Sequence, residues 1–324
     1  MRTRLTDALQ IEHPVMLAGM GGVSYHALVA AVSEAGGFGC LGASAMTPDQ
    51  MVEEIRAVRA ATDKPFGVDL LTALPDQLLA SIELLIAEGA SVFVAGLGVP
   101  RDVITLCHER NVLVVNMCGK VRHAIAAVEA GCDIVVAQGT EAGGHTGTVA
   151  TMPLVPQVVD AVGDRVPVVA AGGLFDGRGL AASLALGADG VWIGTRFIAT
   201  PEARAVPGYK EALIATPEDG TVISRAFTGK TLRAVRNEAT QYFEEHPDEL
   251  KRFPEQIFVA MSDGRMHLGG DESTEGVDPD RECYPAGQGT GAISGLTPAG
   301  DLVREIVADA ESAIGRLDQL RADV

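Results

Sequence analysis

The 324-residue sequence predicts an α/β fold, a (β/α)8 TIM barrel with a helical insertion after the eighth strand. Three observations point there. Short, wholly apolar runs recur eight times within about the first 200 residues, as strands buried on both faces do. Ala-rich amphipathic stretches separate them, and a helix between strands makes a parallel crossover. Glycines follow several of these stretches (Gly36 and Gly37, Gly89, Gly131, Gly187), where a helix commonly ends in the left-handed region.

The elements follow in order. A strand over 14–18 precedes a helix over 25–35, and a strand over 38–41 precedes a helix over 48–60. Thr47 is placed to cap that second helix, with Pro48 at its first position. Strands over 66–70, 91–95 and 112–116 alternate with helices near 75–88, 100–110 and 121–130. The sixth strand, 133–137, leads through a Gly-rich loop to a helix near 153–162. The seventh, 167–171, leads to a helix over 177–186, and 189–193 is the eighth. No helical pattern follows it directly. Residues 201–288 then read as polar helices over 209–215, 232–245 and 247–261 with an acidic stretch, 269–282. The final helix, 298–320, carries Leu302, Ile306, Ala310, Ala313 and Leu317 near helical spacing and is expected to return as the eighth barrel helix. The division is thus a barrel over 1–200, an insertion or lid over 201–288, and a closing segment over 289–324.

Composition narrows the function classes. With 47% apolar residues and mean hydropathy +0.20, the chain can bury a large core and is not a disordered segment. A formal charge of −18 opposes binding to a phosphate backbone, so no nucleic-acid partner is expected. Five scattered cysteines without a CxxC argue against disulfides and zinc. Residues 1–10 lack the apolar core of a secretory leader, and no apolar run approaches the ~20 residues of a membrane span. A cytoplasmic enzyme with a small-molecule substrate is expected, with no membrane partner and with homo-oligomerisation left open.

Chemistry concentrates at strand C-termini, where barrels keep it. Gln138 to Gly147, QGTEAGGHTG, follows the sixth strand. Gly143 and Gly144 there would let backbone approach a planar or anionic ligand, and His145 can act as general base or acid. AAGGLFDGRG ends the seventh strand with Gly172 and Gly173, and WIGTR ends the eighth with Trp192, Ile193, Gly194 and Thr195. Loops after the last two strands are where barrels build phosphate sites. Ala18, Gly19 and Met20 end the first strand, where a flat ligand could lie across the mouth. His13, His108, His123, His246 and His267 read as solvated or structural, and no HExxH or His/Asp cluster suggests a metal.

These segments, with IEHPVMLAGMGG at the start, FGVDL in the third strand and GADGVWIGTRF at the eighth, together resemble the nitronate monooxygenases. The flavin-type enoyl-ACP reductases and a group of NADH:quinone reductases share the signature. The likeness covers most of residues 1–200 and the final helix. It implies one non-covalent FMN at the strand C-termini. By motif, Ala18, Gly19 and Met20 would face the flavin ring, and Gln138 and Gly143 would touch the flavin or its ribityl chain. Gly173, Trp192, Ile193, Gly194 and Thr195 would hold the phosphate, and His145 would take the proton α to a nitro group. Asp69 stands where the family usually has Asn near the flavin, and is either protonated through burial or turned away. Trp192 stands where Gln is common. The implied activity is FMN-dependent oxidation of alkyl nitronates by O2. The alternatives are an NAD(P)H-dependent reductase acting on an enoyl thioester or quinone, and a barrel that binds a phosphorylated ligand without redox chemistry.

Overall fold

A computed structural model describes residues 1–70, 75–96 and 98–322. The strands are β1 (Val15–Leu17), β2 (Gly39–Gly42), β3 (Phe66–Leu70), β4 (Val92–Ala95), β5 (Leu113–Cys118), β6 (Ile134–Gln138), the two-residue β7 (Gly144–His145), β8 (Val168–Ala171) and β9 (Gly190–Ile193). All but β7 pair in parallel, in the order β1-β9-β8-β6-β5-β4-β3-β2. A parallel bridge between Met16 and Phe38 joins the two ends of that sheet and closes the barrel.

Side chains alternate between two apolar layers, which is why the strands read as continuous apolar runs. Met16, Phe38, Cys40, Val94, Val115, Val136, Val169 and Trp192 fill the interior. Leu17, Leu41, Val68, Phe93, Val114, Val135, Ala170 and Ile193 face the surrounding helices. The helices are α1 (Arg4–Leu9), α2 (His26–Glu34), α3 (Pro48–Ala61), α4 (Pro75–Ala87), α5 (Arg101–Glu109), α6 (Val121–Ala130), α7 (Thr151–Val162) and α8 (Gly177–Ala185). Thr47 caps α3 in a capping box with Gln50, and Pro48 opens it, as the sequence predicts.

The N-terminal helix α1 was not expected. Thr3 caps it, and Leu5 and Leu9 plug the bottom of the barrel, where Gly190 leaves room for Leu5. Helix α7 also starts earlier than its proline suggests. The Glu141 carboxylate accepts from the Thr151 backbone N–H and hydroxyl, at 2.9 Å each for Oε2, and so satisfies the helix start from the Gly-rich loop.

Beyond β9 come α9 (Thr195–Ile198), α10 (Tyr209–Ala215), β10 (Thr221–Ser224), β11 (Leu232–Val235), α11 (Glu238–Glu245) and α12 (Glu255–Ser262). The insertion is therefore not wholly helical. Residues 232–235, expected to be helical, form a strand paired antiparallel with β10 on one side and with β7 on the other. Leu232 and Ala234 alternate into a small separate core with Phe227 and Ala226, a period of two that the helical reading missed. Asn237 then caps α11. The helix expected over 247–261 is shortened to α12, because Pro254 lacks the N–H that a continuous helix needs. The last helix, α13 (Ala299–Ala322), packs against α8 and α2 and fills the eighth position of the ring. All five cysteines are free and buried, and no described helix is long and apolar enough to cross a membrane.

Candidate active site

One cavity of about 1360 Å³ opens at the C-terminal ends of the barrel strands. It exceeds the roughly 300–1,000 Å³ usual for small-ligand pockets, so a cofactor and a substrate can share it. Ala18, Gly19, Met20, Asp69, Gln138, Gly143, Gly144, His145, Gly172, Gly173, Trp192, Gly194 and Thr195 all line it. Ile193 does not, because strand alternation turns its side chain into the outer layer.

The floor is made by interior-facing residues at the last turn of the barrel. Asp69, Met117 and Trp192 project there from β3, β5 and β9, and Ala18 from the residue just after β1. Gly19 has no side chain because Asp69 occupies its place: a Cβ on Gly19 would lie 2.3 Å from that of Asp69. Asp69 is thus turned inward rather than away. Loss of water pushes its carboxyl up to about 8, so at neutral pH it is largely protonated and can donate a hydrogen bond.

The wall after β8 and β9 presents backbone. Gly172 and Gly173 adopt φ of +101° and +71°, which only glycine takes without strain. A Cβ on Gly172 would meet the Gly139 carbonyl and the Thr151 hydroxyl at 2.9 Å. Among the described residues, the backbone N–H groups of Gly172, Gly173 and Gly194 have no hydrogen-bond acceptor. Unpaired N–H groups lining a cavity fit an anion such as a phosphate. The hydroxyl of Thr195 accepts from the Gly287 N–H at 2.9 Å, which ties this wall to the segment after the insertion. Gly143 serves packing: its Cβ would lie 2.8 Å from the Ala286 and Gly287 backbone. Gly144, with φ of +73°, borders open space.

His145 enters from β7, held between the barrel and the insertion. Its backbone pairs with Leu232 in β11, and its carbonyl accepts from Gln138 Nε2 at 2.7 Å. Its ring opens to the cavity, stands edge-on to Phe253 and places Nε2 3.0 Å from the Thr228 hydroxyl. Desolvation, helped by the charge of Lys230, holds the imidazole below its ordinary pKa and so favours its neutral form, whose free lone pair can accept a proton. Lys230 lies with its ammonium 4.0 Å above the Phe253 ring. The roof residues Thr228, Lys230 and Phe253 carry no motif. Only the folded insertion brings them to His145. His123 and His267, read as solvated or structural, also line the cavity, and His267 bonds to the buried Glu282 at 2.6 Å.

A sequence model described as nitronate monooxygenase matches residues 2–80 and 75–309. A probable nitronate monooxygenase of Staphylococcus saprophyticus is 35% identical over 79% of this chain and 84% of its own. A (3aS,4S,5R,7aS)-5-hydroxy-7a-methyl-1-oxo-octahydro-1H-indene-4-carboxyl-CoA dehydrogenase of Mycobacterium tuberculosis is 42% identical over 75% of this chain and 69% of its own. Among solved structures, FabK from Thermotoga maritima superimposes with a TM-score of 0.89 at 35% identity, covering 100% of both chains. A nitroalkane oxidase from Streptomyces ansochromogenes gives 0.87 at 32% identity, covering 97% of this chain and 100% of its own.

Proposed function

The chain belongs to the nitronate monooxygenase family of flavin-dependent oxidoreductases, and from the chemistry of its barrel mouth we propose that it binds FMN and oxidises alkyl nitronates with O2. The observation that carries this reading is a cavity-facing imidazole that shares one cavity with a wall of unpaired backbone N–H groups. That arrangement suits a phosphorylated planar cofactor on one side and a weak carbon acid on the other.

FMN, when bound, would supply the electron transfer between substrate and O2. The N–H groups of Gly172, Gly173 and Gly194 would hold its phosphate. The floor of Ala18, Gly19, Asp69 and Trp192 would take the ring, with the protonated Asp69 as a donor in the position of the family's Asn. In an acidic protein the global field opposes a phosphate, so these local donors must hold it. His145 would extend the reaction to neutral nitroalkanes by taking the α-proton, and its lowered pKa keeps it unprotonated for that step. Phe253 and Thr228 of the insertion stand against the imidazole and leave the rest of its ring open to the cavity.

His145→Ala should keep FMN, lose turnover of neutral nitroalkanes by at least about a hundredfold, and change turnover of preformed nitronates much less. Steady-state kinetics on the two substrate forms check this. Full activity on both would remove His145 from the mechanism.

A second reading has NAD(P)H reduce the flavin, with an enoyl thioester of CoA or an acyl carrier as acceptor. Two observations favour it. The cavity is larger than FMN with a small nitronate requires, and Lys120, Arg225 and Lys230 line it where the phosphates of a CoA arm could lie. The name of the Mycobacterium tuberculosis relative points the same way.

A further inference from the structure

His145 is the proposed base, and the inference about its support rests on that functional reading. Its Nε2 lies 3.0 Å from Oγ1 of the buried Thr228. The same hydroxyl is 3.3 Å from the backbone N of Lys230 and 3.2 Å from the Lys230 carbonyl oxygen. A threonine hydroxyl has one proton to give and two lone pairs to fill. The Lys230 N–H can only donate, and the Lys230 carbonyl can only accept. All three contacts hold together only when the hydroxyl proton goes to the carbonyl and Nε2 of His145 donates to the hydroxyl. In the other tautomer the hydroxyl must turn to Nε2, and the Lys230 carbonyl loses its donor.

We propose that Thr228 is a positioning residue that holds neutral His145 as its Nε2–H tautomer and thereby makes Nδ1 the nitrogen that takes the substrate's α-proton. The step balances without a further reagent. The α-C–H bond breaks, an Nδ1–H bond forms, and the C–H electron pair becomes the C=N bond of the nitronate. Imidazolium and nitronate then carry one charge each, and the proton later leaves Nδ1 for solvent.

The Nε2–H to Thr228 hydrogen bond is the same in the neutral and the protonated ring. The base can therefore cycle without rearranging its support, which is the benefit of preorganised polar groups. The rest of the surroundings agree. The β7–β11 pairing and Gln138 fix the backbone of His145, Phe253 lies at the ring's edge, and Thr228 holds one of its nitrogens. Among the described residues, the charge that acts on the ring is that of Lys230, on the turn that Thr228 closes. Thr228 thus links the base to the insertion.

The test combines spectroscopy with kinetics on the flavin-loaded enzyme. Long-range 15N–1H NMR of the wild type, with the His145 signals assigned by their loss in His145→Ala, should show the Nε2–H tautomer. Thr228→Val should give a mixture of tautomers. It should lower kcat/KM for a small neutral nitroalkane by on the order of tenfold or more, with less than a twofold change for the preformed nitronate. Thr228→Ser, which keeps the hydroxyl, should restore both the tautomer and the rate. An Nδ1–H tautomer in the wild type would overturn the proposal. So would unchanged nitroalkane kinetics in Thr228→Val, or equal losses on both substrates that Thr228→Ser fails to restore. If the wild type turns over neither substrate, the functional reading fails by itself, and the NMR spectrum still decides the tautomer.

Discussion

At the residue scale, Asp69 is the position where sequence and surroundings disagree most. A carboxyl inside a barrel mouth, crowded against Gly19, holds its proton to higher pH than it would in water. Between about pH 4 and pH 8 the folded chain keeps a proton on Asp69 that the unfolded chain has already released. Stability of the flavin-free protein therefore falls as pH rises through that window, by up to about 1.4 kcal/mol per pH unit, and the decline ends above the raised pKa. Asp69→Asn removes this dependence. Its Tm relative to wild type should rise from pH 5 to pH 8, and a difference that stays constant would mean that Asp69 ionises normally in the fold. The oddity of Asp69 was legible in the sequence because a familiar motif surrounds it. Thr228 and Lys230 were not legible, because their role comes from a turn that meets His145 across 83 residues of chain.

At the element scale, the barrel strands and helices could be read because each is signalled locally. Apolar runs mark the strands, Thr47 and Pro48 mark the start of α3, and Gly131 marks the end of α6 in the left-handed region. Residues 232–235 were misread because LRAV is too short to show its period and is made a strand by its partners β10 and β7. Helix α13 was legible as the returning helix, and its packing on α8 can be tested by two glycines. A Cβ on Gly177 would lie 2.3 Å from Ala310 N and Ile306 O in α13, so the two helices meet there backbone to backbone. Gly177→Ala should cost about 1–3 kcal/mol in denaturant unfolding. Gly315 lies within α13 with open space around it, and Gly315→Ala should stabilise by roughly 0.5–1 kcal/mol through helix propensity. If Gly177→Ala were as harmless as Gly315→Ala, α13 would not sit against α8 as described.

At the scale of the whole molecule, the closed barrel gathers residues from the C-terminal ends of its strands and the loops that follow them into one cavity, and the insertion returns over it through the β7–β11–β10 sheet. That is why glycine is plentiful and aromatics are few: glycines form the walls of the mouth, while the single tryptophan lies in its floor. The barrel could be inferred from its repeat, but the sheet linking insertion to barrel could not, since one of its strands is only Gly144–His145. Oxidation of nitronates on a flavin bound in this cavity can be tested by anaerobic mixing. The FMN-loaded protein is mixed with an alkyl nitronate and, separately, with NADH or NADPH, and the visible flavin absorbance is followed. Rapid loss of absorbance is expected with the nitronate, with recovery when O2 is admitted. Rapid bleaching by a nicotinamide with none by the nitronate would contradict nitronate oxidation and favour the thioester reductase.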